Sequence, residues 1–372
     1  MTSTAVRAEL AEMELCDLEQ FLVSLGEDRF HARQIFQWAY KRGVADFQRM
    51  SDLSKALRAS LESRVILSTP RVVARERSAD GTEKFVLETG ATGGSPAQDT
   101  RRIESVFIPE TPAMTLCIST QVGCAMGCAF CLTGKMGLVR NLTAGEIVGQ
   151  VRVLGGALSL LDTRFNIVLM GMGEPLHNYD QTMKALRILA DGAGLAVSPR
   201  RVTLSTVGVV PGLDRLAAEP IMPNLAISLH ATTEEQRSRL VPLSRKYRIE
   251  DVLAACRRFP VKRRDRITFE YVLLDGVNDA PEDARRLVRL LHGIRAKVNL
   301  IPLNEAAGIP FARPSDERVN AFARILADHR VTVSVRKSRG RDIRAACGQL
   351  IVEGRKRSPG QRLAGAMGSP PA

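Results

Sequence analysis

Apolar positions in the first part of the chain recur at helical spacing. In His31-Ala-Arg-Gln-Ile-Phe-Gln-Trp-Ala-Tyr40, residues Ile35, Trp38 and Ala39 fall at i, i+3 and i+4, the stripe of an amphipathic helix whose aromatics are expected in a core. Ser51-Asp-Leu-Ser opens another helix, with Leu53, Leu57 and Leu61 on one face. Residues 1–65 therefore read as a small helical domain. The period then shortens. Arg71-Val-Val-Ala-Arg-Glu-Arg77 and Glu83-Lys-Phe-Val-Leu-Glu88 flank Asp80-Gly81, a hairpin signal, and a Gly/Ser/Pro loop from Gly90 to Pro96 leads to the strand Arg102–Ile108. These make residues 66–111 a short β element that bridges the helical domain to the remainder of the chain.

From residue 112 the pattern becomes strand, loop, helix, repeated. Candidate strands are Thr115–Ile118, Asn166–Met170, Arg201–Leu204, Leu225–Leu229, Ile267–Leu273, Lys297–Leu303 and Val331–Val335. Between the first two, Thr143-x-x-Glu146 forms a capping box ahead of Ile147, Val148 and Val151. Alternating β and α units imply an α/β fold with a parallel sheet, open or closed; a partial TIM-like (β/α) barrel of about six units over residues 112–353 is the expected architecture. Polar and glycine residues collect just after these strands, at Gly171-Met-Gly-Glu174-Pro175, Ser205-Thr206, His230 and Asn304. Both barrels and doubly wound sheets build their sites at strand C-termini, so one shared pocket is implied by either. Residues 354–372 read as a basic disordered tail.

Composition changes this picture in two ways. The chain of 372 residues is 45% hydrophobic, yet no apolar run approaches a membrane-spanning length and the N-terminus shows no charged leader before an apolar stretch, so a soluble cytoplasmic protein is expected. The formal charge of +13 points to a polyanionic partner. Basic residues cluster in Lys262-Arg-Arg-Asp-Arg266, Arg336-Lys-Ser-Arg-Gly-Arg341 and Arg355-Lys-Arg357, and aromatic content is only 5%, which favours shape and phosphate contacts over base stacking.

Seven cysteines, an odd number, fit a reducing compartment better than a disulfide framework. Three of them, Cys124, Cys128 and Cys131, lie after the first strand of the alternating region at the spacing C-x-x-x-C-x-x-C. A closed zinc site of cysteine and histidine would need a fourth such ligand nearby, and the next histidine or cysteine downstream is the distant His177. A [4Fe–4S] cluster ordinarily takes four thiolates, so three leave one iron open to a ligand that is not protein.

Together with Gly-Met-Gly-Glu-Pro after the second strand, this motif resembles the radical S-adenosylmethionine superfamily. The resemblance narrows with Cys117-Ile-Ser-Thr-Gln-Val-Gly-Cys124 through Lys135, Met170–Leu176, Arg201–Thr206, Ala226–His230 and Ala346-Cys-Gly-Gln-Leu350, which are similar to the bacterial dual-specificity RNA adenine-C2 methyltransferases over about residues 15–353. It implies a partial barrel of the radical S-adenosylmethionine type. It also implies methylation at C2 of adenosine in 23S rRNA, at the peptidyl-transferase centre, and in some tRNAs beside the anticodon. Cys124, Cys128 and Cys131 would hold the [4Fe–4S] cluster, and Gly173, Glu174, Ser205, Ser228, Leu229, His230 and Asn304 would bind S-adenosylmethionine, with two molecules used per turnover. Cys347 would carry the methyl carbon, Glu104 would take the C2 proton, and Cys117 would release the product through a transient Cys117–Cys347 disulfide. A monomer served by an external reductant protein completes the expectation.

Two other readings compete. The sister enzymes that methylate adenine C8 carry the same cysteines and glutamate, and a non-catalytic iron–sulfur protein that binds RNA would share the cluster motif. Without the resemblance, Glu104 would be a solvent-facing carboxylate on a strand, and Cys16 and Cys256 would be packing residues on helices.

Overall fold

The computed structural model describes residues 7–90, 101–109, 113–262 and 265–351. Residues 91–96 of the Gly/Ser/Pro loop, Arg263, Arg264, Arg355, Lys356, Arg357 and the tail lie outside them. The N-terminal unit begins with a two-residue strand, β1 (Ala8–Glu9), that pairs in parallel with β2 (Val65–Ile66) and so brings its two ends together. Between them run α1 (Leu15–Ser24), α2 (His31–Phe36) and α3 (Lys55–Arg64). Ser54 caps α3, its Oγ accepting the Leu57 N–H at 3.1 Å, and Leu57 and Leu61 are buried as the stripe predicts. The aromatics divide differently from expectation. Phe36 and Tyr40 are fully buried, but Trp38 is only half-buried, because α2 gives way to a π turn over Gln37–Lys41. Its indole donates to Asp52 and the Arg42 guanidinium lies 4.0 Å from its ring centroid.

Next come three antiparallel strands, β3 (Arg71–Arg77), β4 (Glu83–Thr89) and β5 (Arg101–Ile108). They extend the main sheet, since β5 pairs antiparallel with β6 (Thr115–Cys117). A small antiparallel pair, β7 (Gln121–Gly123) and β8 (Leu138–Asn141), brackets the short helix α4 (Leu132–Met136). Six crossovers come after it, carried by α5 (Ala144–Ala157), α6 (Tyr179–Ala190), α7 (Val210–Ala217), α8 (Glu234–Leu240) with α9 (Ile249–Arg258), α10 (Pro281–Leu290) and α11 (Asp316–Asp328). They link β6 in turn to β9 (Asn166–Leu169), β10 (Val202–Thr206), β11 (Asn224–Ser228), β12 (Ile267–Leu273), β13 (Ala296–Pro302) and β14 (Thr332–Val335). The sheet order is β14-β13-β12-β11-β10-β9-β6-β5-β4-β3, and β6 to β14 are parallel. The expected six units are thus six crossovers ending on a seventh parallel strand. Among the described residues the outer strands β14 and β3 do not pair with each other, so the barrel stays open. Charged residues hold the exposed β3 edge, as edge strands require.

Leu116, Ile167, Leu204, Ile227, Phe269 and Leu300, one from each of the first six parallel strands, are fully buried, each burial contributing about 1.5–3 kcal/mol. One polar group crosses this core. Gln150 of α5 accepts from Ser119 N at 2.7 Å and Ser105 Oγ at 2.8 Å, and donates to Ser119 O at 2.9 Å, which pins the helix to the chain leaving β6. Gln150→Leu would strand three buried partners and is expected to cost about 3 kcal/mol, read as a lower denaturation midpoint. Among the described residues no helix is long and apolar enough to cross a membrane.

Candidate active site

The three motif cysteines sit on a loop whose course is set by backbone contacts. Gly123 has φ +77° beside a bulge in β7, and a Cβ there would collide with the Gly137 carbonyl oxygen, the same oxygen that accepts the Cys124 N–H at 3.0 Å. Only glycine lets the two segments approach so closely. Gly123→Ala adds about 1–2 kcal/mol of backbone strain to that collision; less than half of the wild-type iron is expected to bind on reconstitution, read by metal analysis. Cys131 is the N-cap residue of α4; burial raises its thiol pKa, and the nearby backbone of Gly134 and Thr133 opposes the rise.

All three thiols face one cleft with an empty volume of about 910 Å³ at the C-terminal ends of the parallel strands. Burial pushes the Cys124 thiol up to about 12, and it lifts Cys128 well above the usual thiol range, helped by the neighbouring Cys131 and Cys124. Three neighbouring buried thiols, whose thiolates would repel one another, are suited to a cationic inorganic group. Among the described residues no set of His, Cys, Asp or Glu converges on a single metal ion. Three thiols facing one cleft are a donor set for a cluster, in which each thiolate takes a different iron.

Opposite the cysteines the same cleft collects Gly173, Glu174, Ser205, Ser228, His230 and Asn304. Gly173 has φ +107°, and an added Cβ would come within 2.8 Å of the Gln121 backbone nitrogen. Glu174 is buried, its two oxygens accepting the Leu176 N–H at 3.0 Å and the Val207 N–H at 2.9 Å; burial nevertheless pushes its pKa up to about 7. His230 stands in the left-handed region at φ +59°. Its Nδ1 accepts the Val272 N–H at 3.1 Å, its ring meets Phe130 edge-on at 4.8 Å, and burial depresses its pKa to about 3, so it is neutral. Ser205 and Ser228 hydroxyls lie 3.4 Å apart. Asn304 donates to the Cys347 carbonyl at 3.3 Å, while its buried Oδ1 has no partner among the described residues. An orphaned acceptor in a cavity wall fits a polar ligand such as a nucleoside.

Cys347 lines this cleft as well. It also lines an adjoining compartment, of empty volume about 490 Å³, together with Cys117, Met170, Asn304 and Arg336. Arg336, the residue after β14, shares its field with Cys347, Glu270 and Cys117. Burial first, and then Cys347, push the Cys117 thiol up to about 12, with Arg336 pulling the other way. The expected Cys117–Cys347 disulfide is not formed, as both are free thiols.

Leu229 departs from expectation: it is fully buried in the apolar core and touches the site only through its backbone, donating to Glu270 O at 3.1 Å. Glu104 is buried rather than solvent-facing, and it lines a separate depression across the 345–351 segment. Its carboxylate lies 3.4 Å from Lys84 Nζ and accepts the Ile351 N–H at 2.8 Å; burial raises its pKa and Lys84 opposes the rise. Of the two lone cysteines, Cys256 is buried as expected but Cys16 is exposed. Sequence reasoning placed Arg336 in a basic run for RNA; its position at a strand C-terminus was the signal that it faces the cleft instead.

Comparison with known proteins accords with this geometry. Residues 8–67 match the family described as ribosomal RNA large subunit methyltransferase N-terminal domain, and residues 118–289 match the radical SAM superfamily. A dual-specificity RNA methyltransferase RlmN of Syntrophotalea carbinolica is 51% identical over 348 residues, covering 92% of this chain and 90% of the relative. Its counterpart in Syntrophobacter fumaroxidans is 49% identical, covering 92% and 97%. A solved radical SAM methyltransferase from Sphaerobacter thermophilus superimposes with a TM-score of 0.86 at 48% identity, covering 92% of this chain and 99% of that one.

Proposed function

The chain belongs to the dual-specificity RNA methyltransferases, and from that premise we propose that it methylates C2 of adenosine in 23S rRNA and in certain tRNAs, with the carbon carried on Cys347. The observation that carries this reading is the position of Cys347 in the wall shared by the cluster-cysteine cleft and the Cys117 compartment. Cys124, Cys128 and Cys131 would hold a [4Fe–4S] cluster, and Gly173, Glu174, Ser205, Ser228, His230 and Asn304 would hold S-adenosylmethionine, with Leu229 contributing backbone. When bound, that pair supplies the methyl group and a one-electron route to a carbon radical, the electron coming from an external reductant protein; two molecules of S-adenosylmethionine serve each turnover of a monomer in the cytoplasm.

The chain's own residues do the rest. Cys347 Sγ would lose its proton on taking the methyl group; that carbon would give up one hydrogen atom to the one-electron route and bond to adenine C2. Glu104 would accept the C2 proton, after the Ile351 amide releases its carboxylate, as the adduct's unpaired electron leaves by the same route. Cys117 then attacks Cys347 Sγ as a thiolate, the Sγ–carbon bond breaks, the new methyl group takes up a proton, and an external thiol reduces the resulting disulfide. The Arg336 charge favours that thiolate.

Because burial raises the Glu104 pKa, the base is lost on acidification at a higher pH than for an ordinary carboxylate. The acid limb of the methylation rate is expected above the usual carboxylate range, and Glu104→Gln should remove that limb and slow methylation about 100-fold. The regiochemistry is tested by anaerobic reconstitution with iron and sulfide, turnover on bare and assembled ribosomal RNA, and mass spectrometry of the digested nucleosides. 2-Methyladenosine is expected. 8-Methyladenosine alone would assign the chain to the sister chemistry.

A further inference from the structure

The segment that carries Cys347, residues 336–351, contains no helix or strand; beyond its own turns, closed by Ala345 N–H to Gly340 O at 2.8 Å and Gln349 N–H to Ala346 O at 3.0 Å, its path is set by what it touches. On the cleft side, Gly348 O accepts the Leu132 N–H at 2.8 Å and Leu350 O accepts the Thr133 hydroxyl at 2.6 Å, which tie the segment to α4 just after the last cluster cysteine. Gln349 Nε2 donates to Glu305 O at 2.9 Å. The other end of the segment rests on the tip of the β3–β4 hairpin.

That second attachment is reciprocal. Asp80, on the hairpin, accepts the Gly340 N–H at 3.0 Å with one oxygen and the Thr82 N–H at 2.9 Å with the other. Asp342, on the segment, accepts the Ser78 hydroxyl at 2.6 Å and the Ala79 N–H at 3.2 Å. Arg339 donates to the Asp80 carbonyl at 3.4 Å. The surfaces are also close-packed: a Cβ on Gly340 would lie 2.9 Å from Thr82 Cγ2 and 2.8 Å from the Ala345 Cβ. Thr82 itself lines the compartment that holds Cys117 and Cys347. The hairpin tip is a firm base, because Ser78 N–H donates to Thr82 O at 2.8 Å and the strands on either side are paired.

We propose that the hairpin tip Ser78–Thr82 is the seat of the Cys347 segment, and that Asp80 and Asp342 are positioning residues that set where the Cys347 thiol stands between the cluster cysteines and Cys117. The assignment rests on the reading of Cys347 as the carbon carrier. Each carboxylate satisfies one backbone amide of the opposite element, so the seat specifies the segment's register as well as its presence. The Ser78 hydroxyl holds the Asp342 carboxyl below the usual carboxylate range.

The test uses the full chain without cofactors and reads the iodoacetamide alkylation rate of each cysteine by peptide mass spectrometry. Cys16, exposed, is the fast reference and Cys256, buried, reports any loosening of the core. Asp80→Asn leaves one N–H facing an amide donor, and Asp342→Ala removes both acceptors. Cys347 alkylation is expected to rise about threefold in either variant and about tenfold in the double variant, as lost charge-assisted hydrogen bonds at an exposed site imply, with Cys16 and Cys256 unchanged. In the reconstituted enzyme, 5′-deoxyadenosine released per RNA methyl group should rise by a similar factor. An unchanged Cys347 rate in the double variant overturns the proposal. So does a parallel rise at Cys256, which would make the contact merely structural. Methylation of RNA by Cys347→Ala would instead sink the carrier reading while leaving the seat's effect on thiol access intact.

Discussion

Replacing Cys347 with alanine is expected to lower RNA methylation by more than about a thousandfold while leaving iron content unchanged, the signature of a lost covalent carrier rather than a lost site. The geometry leaves no substitute thiol. Cys117 is shut in the adjoining compartment, Cys16 faces solvent on α1, and Cys256 is buried on α9. Removing the Cys347 Sγ does not disturb how its loop is held, because Asn304 Nδ2, Leu132 N and Thr133 Oγ1 all bind backbone atoms of residues 347–350. Label transfer from S-adenosylmethionine to RNA, measured beside iron per chain, checks both halves of the expectation.

Cys117→Ala is expected to fail at a later point and in a visible way. Carbon would pass from Cys347 to adenine, but no second thiol would attack Cys347 Sγ, and the RNA would remain bonded to the protein. A denaturant-stable protein–RNA adduct should accumulate toward one per chain, with the bond mapped to Cys347 after digestion. The adduct should be absent from Cys117→Ala carrying Cys347→Ala as well. Free methylated RNA from the single variant at the wild-type rate would remove Cys117 from the release step.

Much of this arrangement was legible in the sequence because it is local. Strand periodicity placed the seven parallel strands within one or two residues, and residue types just after them gathered Gly173, Glu174, Ser205, His230 and Asn304 into one cleft with the three cysteines. The errors arose where a side chain's direction depends on the third dimension. Alternation at the end of β11 sends Leu229 into the core while its neighbours Ser228 and His230 face the cleft. Glu104 alternates as an outward residue would, yet Lys84 and Ile351 cover it. Arg336 sits in a basic run, but the end of β14 turns it inward. The union of the hairpin tip with the Cys347 segment was invisible, since Asp80 and Gly340 are 260 residues apart and neither the hairpin signal nor the basic run says what it packs against.

On the proposed route carbon reaches RNA by way of Cys347, and the most direct measurement of that transfer is the isotope content of the product. Turnover with S-adenosylmethionine bearing a fully deuterated methyl group should give a carrier methyl on Cys347 that loses one deuterium when its carbon is activated. The expected product is 2-methyladenosine whose new methyl group holds two deuteriums and one protium. A product methyl group that keeps all three deuteriums would show direct transfer and contradict the Cys347 route.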